Sequence, residues 1–193
     1  MLQILLIRPG ATDFDEQRRI KGTLDIPLNA QGNDQVAQTC DELHSFDIDA
    51  VYTSPAQSAE QTAGVIGRRR SVKVKTLDKL TNLNHGLWHG KLIDEVKQRQ
   101  PKLYRQFQEH PETVCPPEGE TIEDAERRVV KVLKKLFRKH RSGVIALVVP
   151  EPLASVVKHL LDDSKLGNLW KAEIDSGNWE AIEIERGKSV QYV

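Results

Sequence analysis

The stretch Leu2-Gln3-Ile4-Leu5-Leu6-Ile7-Arg8-Pro9-Gly10-Ala11-Thr12-Asp13 decides how this chain is read. An apolar-rich run ends at Arg-Pro-Gly, and the sequence then turns polar. A run this short, uncapped and bounded by Pro-Gly predicts a strand buried on both faces rather than a helix. Such a strand delivers the residues after it to the carboxyl edge of a sheet, where ligands bind in open α/β folds. Arg8 at that edge is a candidate anchor for phosphate or carboxylate oxygens, because a guanidinium forks onto both. The competing reading is an Arg8 paired with a structural carboxylate.

A second buried strand is predicted over 143–149, and it too ends in a break, Pro150-Glu151-Pro152. Shorter strands are predicted over 50–53 and 72–74, with alternating segments at 179–184 and 190–193 closing the sheet. Helical spacing joins Val36, Cys40 and Leu43. Ser54, Pro55 and Gln57 read as N-cap, first-turn proline and capping-box partner of a helix running to about Gly67. Arg68-Arg69-Arg70 reads as its solvated end. Thr121 with Asp124 reads as the cap of a strong helix whose apolar stripe is Ile122, Ala125, Val129, Leu133 and Leu136. A further helix follows Pro152 through His159 and Leu161.

Residues 11–30 read as a long polar loop. Residues 76–119 read as an irregular insertion over the site, with a short helix at 92–99. Strands alternating with helices predict an α/β fold: a three-layer sandwich, mostly parallel central sheet, helices on both faces, one domain over 1–193.

Composition narrows the function classes. The 28 basic and 28 acidic side chains give a formal net charge of zero, and aromatics are sparse, so no nucleic-acid partner is expected. Cys40 and Cys115 have no metal-ligand spacing and suit a reducing compartment. The first residues lack a basic leader, and no run approaches the roughly eighteen apolar residues of a membrane span. The expectation is a cytoplasmic protein with no membrane partner, no cofactor and no metal.

The residues then carry a resemblance. Ile7-Arg8-Pro9-Gly10-Ala11-Thr12, with Gly22, Pro27 and Gly32, is similar to the opening of the histidine phosphatase superfamily, the phosphoglycerate-mutase-like proteins, whose signature is Arg-His-Gly-Glu-Thr. Val51-Tyr52-Thr53-Ser54-Pro55 with Gln61-Thr62-Ala63, then Gly86, Trp88 and Gly90, then Pro116-Pro117-Glu118-Gly119-Glu120-Thr121, and last Val148-Val149, match in order along the chain. The resemblance implies phosphoryl transfer through a phosphorylated histidine. Two arginines and a second histidine would hold the oxygens, and a carboxylic acid would protonate the leaving group.

At these slots the chain departs from the pattern. Pro9 stands at the nucleophile, Ser58 at the second arginine, Asn82 at the acid and Glu151 at the second histidine; Asp15 replaces the usual Asn. Arg8 alone remains of the central set. Proline has no attacking atom, and an amide gives no proton to an alkoxide. In place of a cationic cradle, Arg8 is expected to face Glu151 and Asp15, with Lys21 at the rim. The expected ion pair is Arg8–Glu151, filling the vacated phosphate pocket. His85 and His89 flank Gly86-Leu87-Trp88 as a possible ligand pair, but Gly86 argues against the regular helix that pairing needs. The reading is therefore a catalytically inactive relative, with no catalytic residue, that binds a protein or small-molecule ligand as a monomer or homodimer. The alternative is a phosphomonoester hydrolase or mutase with a non-standard site.

Overall fold

A computed structural model describes residues 1–185; the strand expected at 190–193 lies outside the described residues. Among the described residues five strands form one sheet: β1 (Leu2–Ile7), β2 (Ile48–Thr53), β3 (Val74–Thr76), β4 (Gly143–Val148) and β5 (Trp179–Ile184). Their order is β3-β2-β4-β1-β5. β1, β2, β3 and β4 run parallel, and β5 is antiparallel to β1. The helices are α1 (Asp13–Glu16), α2 (Ala30–Glu42), α3 (Gln57–Arg70), α4 (Ile93–Arg99), α5 (Pro101–Glu109), α6 (Ile122–Lys139), α7 (Leu153–Asp162) and α8 (Leu169–Ala172).

Strand alternation sends side chains into two separate cores. Leu5, Ile7 and Val148 pack with Val36, Ala63 and Ile66 of α2 and α3 on one face. Ile4, Leu6 and Leu147 pack with Val129, Leu133 and Val157 of α6 and α7 on the other. β1 and β4 are almost wholly buried because both faces are covered, which is why each reads as a continuous apolar run. α6 begins as its sequence predicts. The Asp124 N–H donates to Thr121 Oγ1 at 3.1 Å, and all five stripe residues are buried.

Five local expectations are corrected or refined. α3 starts at Gln57, so Ser54 is not its cap: Asp25 Oδ1, reaching in from the first long loop, accepts the Gln57 N–H at 2.7 Å. α3 also runs past Gly67 to Arg70, and a left-handed Ser71 lets the Val72 N–H close onto the Gly67 carbonyl at 3.0 Å. That hand-off uses up residue 72, so β3 begins at Val74. The basic run at its end is engaged rather than merely solvated: Arg69 pairs with Asp41 at 2.6 Å, and Arg70 donates to the His44 carbonyl at 3.1 Å. Residues 101–109 are helical. Pro101 starts α5 at the first helical position, where a missing N–H costs nothing.

The insertion is anchored by aromatic packing. Trp88, Phe107 and Trp170 meet with ring centroids 4.8–5.6 Å apart. Two glycines fix the first loop. Gly10 and Gly32 cross so closely that a Cβ on Gly10 would lie 2.2 Å from the Gly32 carbonyl oxygen.

Candidate functional site

β1 and β4 are paired in register, Ile7 beside Val148, so their carboxyl ends release Arg8 and Glu151 side by side. Arg8 Nε donates to Glu151 Oε1 at 2.9 Å, with both side chains buried. The other Glu151 oxygen accepts from the Ser155 backbone N–H at 3.0 Å and from Ser155 Oγ at 2.8 Å. The carboxylate thus sits between a guanidinium and the first turn of α7, a position that suits an anion. Burial pushes the Glu151 carboxyl above the usual carboxylate range, and the Arg8 charge and its hydrogen bond work against that.

Arg8 has a second carboxylate that the sequence reading missed. Its Nη1 donates to Glu180 Oε1 at 2.6 Å, and Lys158 pairs with the other oxygen. Burial opposes the charge on Arg8, but Glu151 and Glu180 together outweigh it and raise its pKa. Burial also acts to raise Glu180, yet the hydrogen bonds from Lys158 and Arg8 hold it below its ordinary value. A sequence signal for Glu180 existed. It shares strand parity with the buried Ile182 and Ile184, so the alternation that gave β5 also places a carboxylate on the core side of the sheet.

Pro9, Asp15, Ser58 and Glu151 do come together. They border one cavity of about 10 Å³ with Lys21 and Pro150, at the threshold of what holds a single water. Asp15 is not turned to Arg8 as expected. It accepts from the Thr12 N–H and hydroxyl, each at 2.7 Å, and pairs with Lys21. Nor is Lys21 a rim residue. It is 8% exposed, and its Nζ also donates to the Glu173 carbonyl at 2.6 Å. Asn82 stands outside this cavity. Its Nδ2 donates to the Glu151 carbonyl at 2.8 Å, and its Oδ1 accepts from the Leu83 and Leu153 N–H groups at 2.9 and 3.2 Å. That amide holds the Glu151 loop against the insertion.

Glu173 is a buried carboxylate that the sequence gave no sign of. Its Oε1 accepts the Lys21 N–H at 2.8 Å, and its Oε2 lies 3.2 Å from His85 Nε2. His89 Nε2 accepts two backbone N–H groups, from Thr23 at 3.2 Å and His85 at 3.1 Å. Burial holds the His89 pKa down, and the neighbouring His85 adds to the effect. Both imidazoles are therefore committed to the protein. Among the described residues no group of three or more His, Cys, Asp or Glu side chains is arranged to hold a metal ion. No helix among them is long and apolar enough to cross a membrane.

This frame has close relatives. The chain is 26% identical over 191 residues to phosphoserine phosphatase 1 of Hydrogenobacter thermophilus, covering 98% of this chain and 90% of that protein. It is 29% identical over 183 residues to bifunctional protein Rv2228c of Mycobacterium tuberculosis, covering 94% of this chain but only 50% of that relative's length. The solved structure of Bacillus stearothermophilus YhfR superposes with a TM-score of 0.83 at 24% identity, covering 97% of this chain and 93% of that one. A likeness at that identity establishes the sheet order and layering described above as a shared fold. The sequence also matches the family model of the histidine phosphatase superfamily, branch 1, over residues 4–192, and the chain belongs to that superfamily.

Proposed function

We propose that this chain is a catalytically inactive histidine phosphatase homologue that serves as a binding or regulatory module. One observation carries the reading: the Glu151 carboxylate occupies Arg8, and the cavity that Glu151 borders is only about 10 Å³. A phosphoryl group needs that space and that guanidinium. It would also meet a carboxylate at contact distance, a repulsion of about 1 kcal/mol per charge pair in water and about 4 at an intermediate dielectric.

The missing reactive groups support the same conclusion. Pro9, at the nucleophile slot of the family signature, offers no attacking atom. Asn82, at the acid slot, has both polar atoms tied to backbone partners. His85 is no substitute, because it is buried against Glu173. The two unpaired cysteines fit a cytoplasmic setting for the module. The second reading, a phosphomonoester hydrolase or mutase with a non-standard site, is favoured by relatives that carry phosphatase names, such as phosphoserine phosphatase 1.

Turnover assays separate the two. Purified protein is given p-nitrophenyl phosphate, phosphoserine and 3-phosphoglycerate from acid to neutral pH, beside an Arg8→Ala variant. The expected result is no turnover that depends on Arg8. Hydrolysis or mutase activity abolished by Arg8→Ala would overturn the proposal in favour of the second reading.

A further inference from the structure

Charge is distributed unevenly over a chain whose formal net charge is zero. In the first half of α6 the cations have acidic partners: Arg127 pairs with Glu123 and Asp124, and Arg128 with Glu120. After Glu126 the helix carries no acid, and Lys131, Lys135 and Lys139 fall at successive four-residue steps on one stripe. Like charges at that spacing repel one another. Across a groove stand Lys75 of β3 and Lys79 beyond it. Five lysines thus line this groove against one aspartate, Asp78.

The groove is shaped as well as charged. Its floor is Leu77, Val132, Leu136 and the Tyr52 ring, and its volume is about 320 Å³. Lys139 closes one end, donating to Tyr52 Oη at 2.9 Å with its ammonium 5.4 Å from the ring centroid. The side chains of Lys75, Lys79, Lys131 and Lys135 make no ion pair among the described residues.

Two ordinary explanations cover only part of this. Lysine on an exposed edge strand blocks edge-to-edge pairing, which accounts for Lys75. A cation in the last turn complements the helix dipole, which accounts for Lys139. Neither explains mid-helix Lys131 and Lys135 facing Lys79 across an apolar floor.

We propose that this groove is a binding site for a small organic anion with an apolar body, an aryl or acyl carboxylate, sulfonate or phosphate ester free in solution. The apolar portion lies on Tyr52, Leu77, Val132 and Leu136, and the anionic group is held by the lysines. Ammonium groups act as mobile point charges rather than planar forks, so the site selects charge and apolar contact over one oxyanion geometry. The volume lies at the small end of ligand pockets, which matches a single ring system or a short acyl chain. This site is separate from the cavity bordered by Glu151 and stands whether or not that site turns over a substrate.

The test titrates 1-naphthalenesulfonate, which cannot be hydrolysed, into the whole protein at low ionic strength, followed by amide shifts in two-dimensional NMR. Saturable binding is expected, with shifts at Tyr52, Leu77 and residues 131–139. Affinity should drop severalfold between about 10 and about 150 mM salt, as screening shortens the reach of the lysines. The paired variant Lys131→Glu and Lys135→Glu should weaken binding about tenfold or more while its circular dichroism and melting stay unchanged. Lys75→Glu, on the opposite wall, gives an independent check in the same direction. Inorganic sulfate, with charge but no apolar body, should bind at least about tenfold more weakly. Absence of saturation, equal affinity in the charge-reversed variants, sulfate binding as well as the sulfonate, or shifts centred on Gly10 and Glu151 would each overturn the proposal. So would sedimentation with phosphatidylglycerol vesicles that the free sulfonate fails to displace, because the anion recognised would then be a membrane.

Discussion

Replacing Glu151 by alanine removes the carboxylate that occupies Arg8, and the consequence can be worked from the contacts. The variant loses the 2.9 Å bond from Arg8 and the two bonds from Ser155. Breaking a buried ion pair from one side costs about 3–5 kcal/mol. Arg8 keeps Glu180 at 2.6 Å, so its charge is not left alone, and the lower end, about 3 kcal/mol, is expected. For a chain of this size that lowers the melting temperature by about 6–12 °C. The same substitution leaves Arg8, the Ser155 hydroxyl and the first-turn N–H of α7 around an opened space. An oxyanion added to the solvent should therefore take the place of the carboxylate. An anion present at about 100 times its Kd returns about 2.7 kcal/mol, nearly the whole loss. The assay is thermal melting of wild type and Glu151→Ala with acetate, phosphate or chloride at constant ionic strength. Acetate and phosphate should restore the variant while leaving wild type unmoved. A loss under about 1 kcal/mol, or equal effects of all three anions on both proteins, would refute the view that Glu151 is a built-in ligand.

Two further outcomes are expected. His89 Nε2 must stay unprotonated to accept its two N–H donors, and its folded pKa lies below the ordinary 6.5. The unfolded chain then binds the extra proton, so this stability is present above pH 6.5 and is lost as pH falls from there towards the folded pKa. Urea melts between neutral and mildly acid pH should show this slope in wild type and a flatter one in His89→Gln; parallel profiles would remove His89 from the account. Asp25→Ala should cost about 1 kcal/mol by uncapping α3, whereas a larger loss from Ser54→Ala than from Asp25→Ala in denaturant melts would restore Ser54 as the cap.

The long-range frame was legible because burial on two faces leaves an unmistakable mark. β1 and β4 read as apolar runs, α6 announced itself through Thr121, Asp124 and a regular stripe, and the two strand ends pointed to Arg8 and Glu151 as neighbours. What was illegible depended on partners distant in sequence. The cap of α3 comes from Asp25, 32 residues earlier, and no local motif at Ser54-Pro55 could report it. The place of Glu180 on the core side was legible from its parity with Ile182 and Ile184, but its pairing with Arg8, 172 residues away, was not. Asp15 is a local exception, turned to Lys21 rather than Arg8 because Thr12 claims its other oxygen. The irregular reading of 76–119 left no helix at 101–109, yet Pro101 starts one where the chain before it has already broken.

On the proposed inactive reading, the contacts around Glu151 also explain how this frame does without a bound anion. A phosphate pocket gathers donors: a guanidinium, a helix N-terminus and a hydroxyl. Left empty and desolvated, such donors are costly, since each buried polar group without a partner loses about 1–3 kcal/mol. A histidine in the Glu151 position would add one more donor or cation to that set. A glutamate there instead supplies one acceptor oxygen to Arg8 and the other to Ser155, and Asn82 pins its backbone carbonyl. These donors are thus satisfied within the chain. The same contacts set a condition on phosphoryl transfer from position 9. A nucleophile at position 9 would still face a carboxylate where the phosphoryl oxygens must sit, in a cavity of about 10 Å³. Pro9→His alone should therefore stay silent; turnover requires Glu151 to be displaced first.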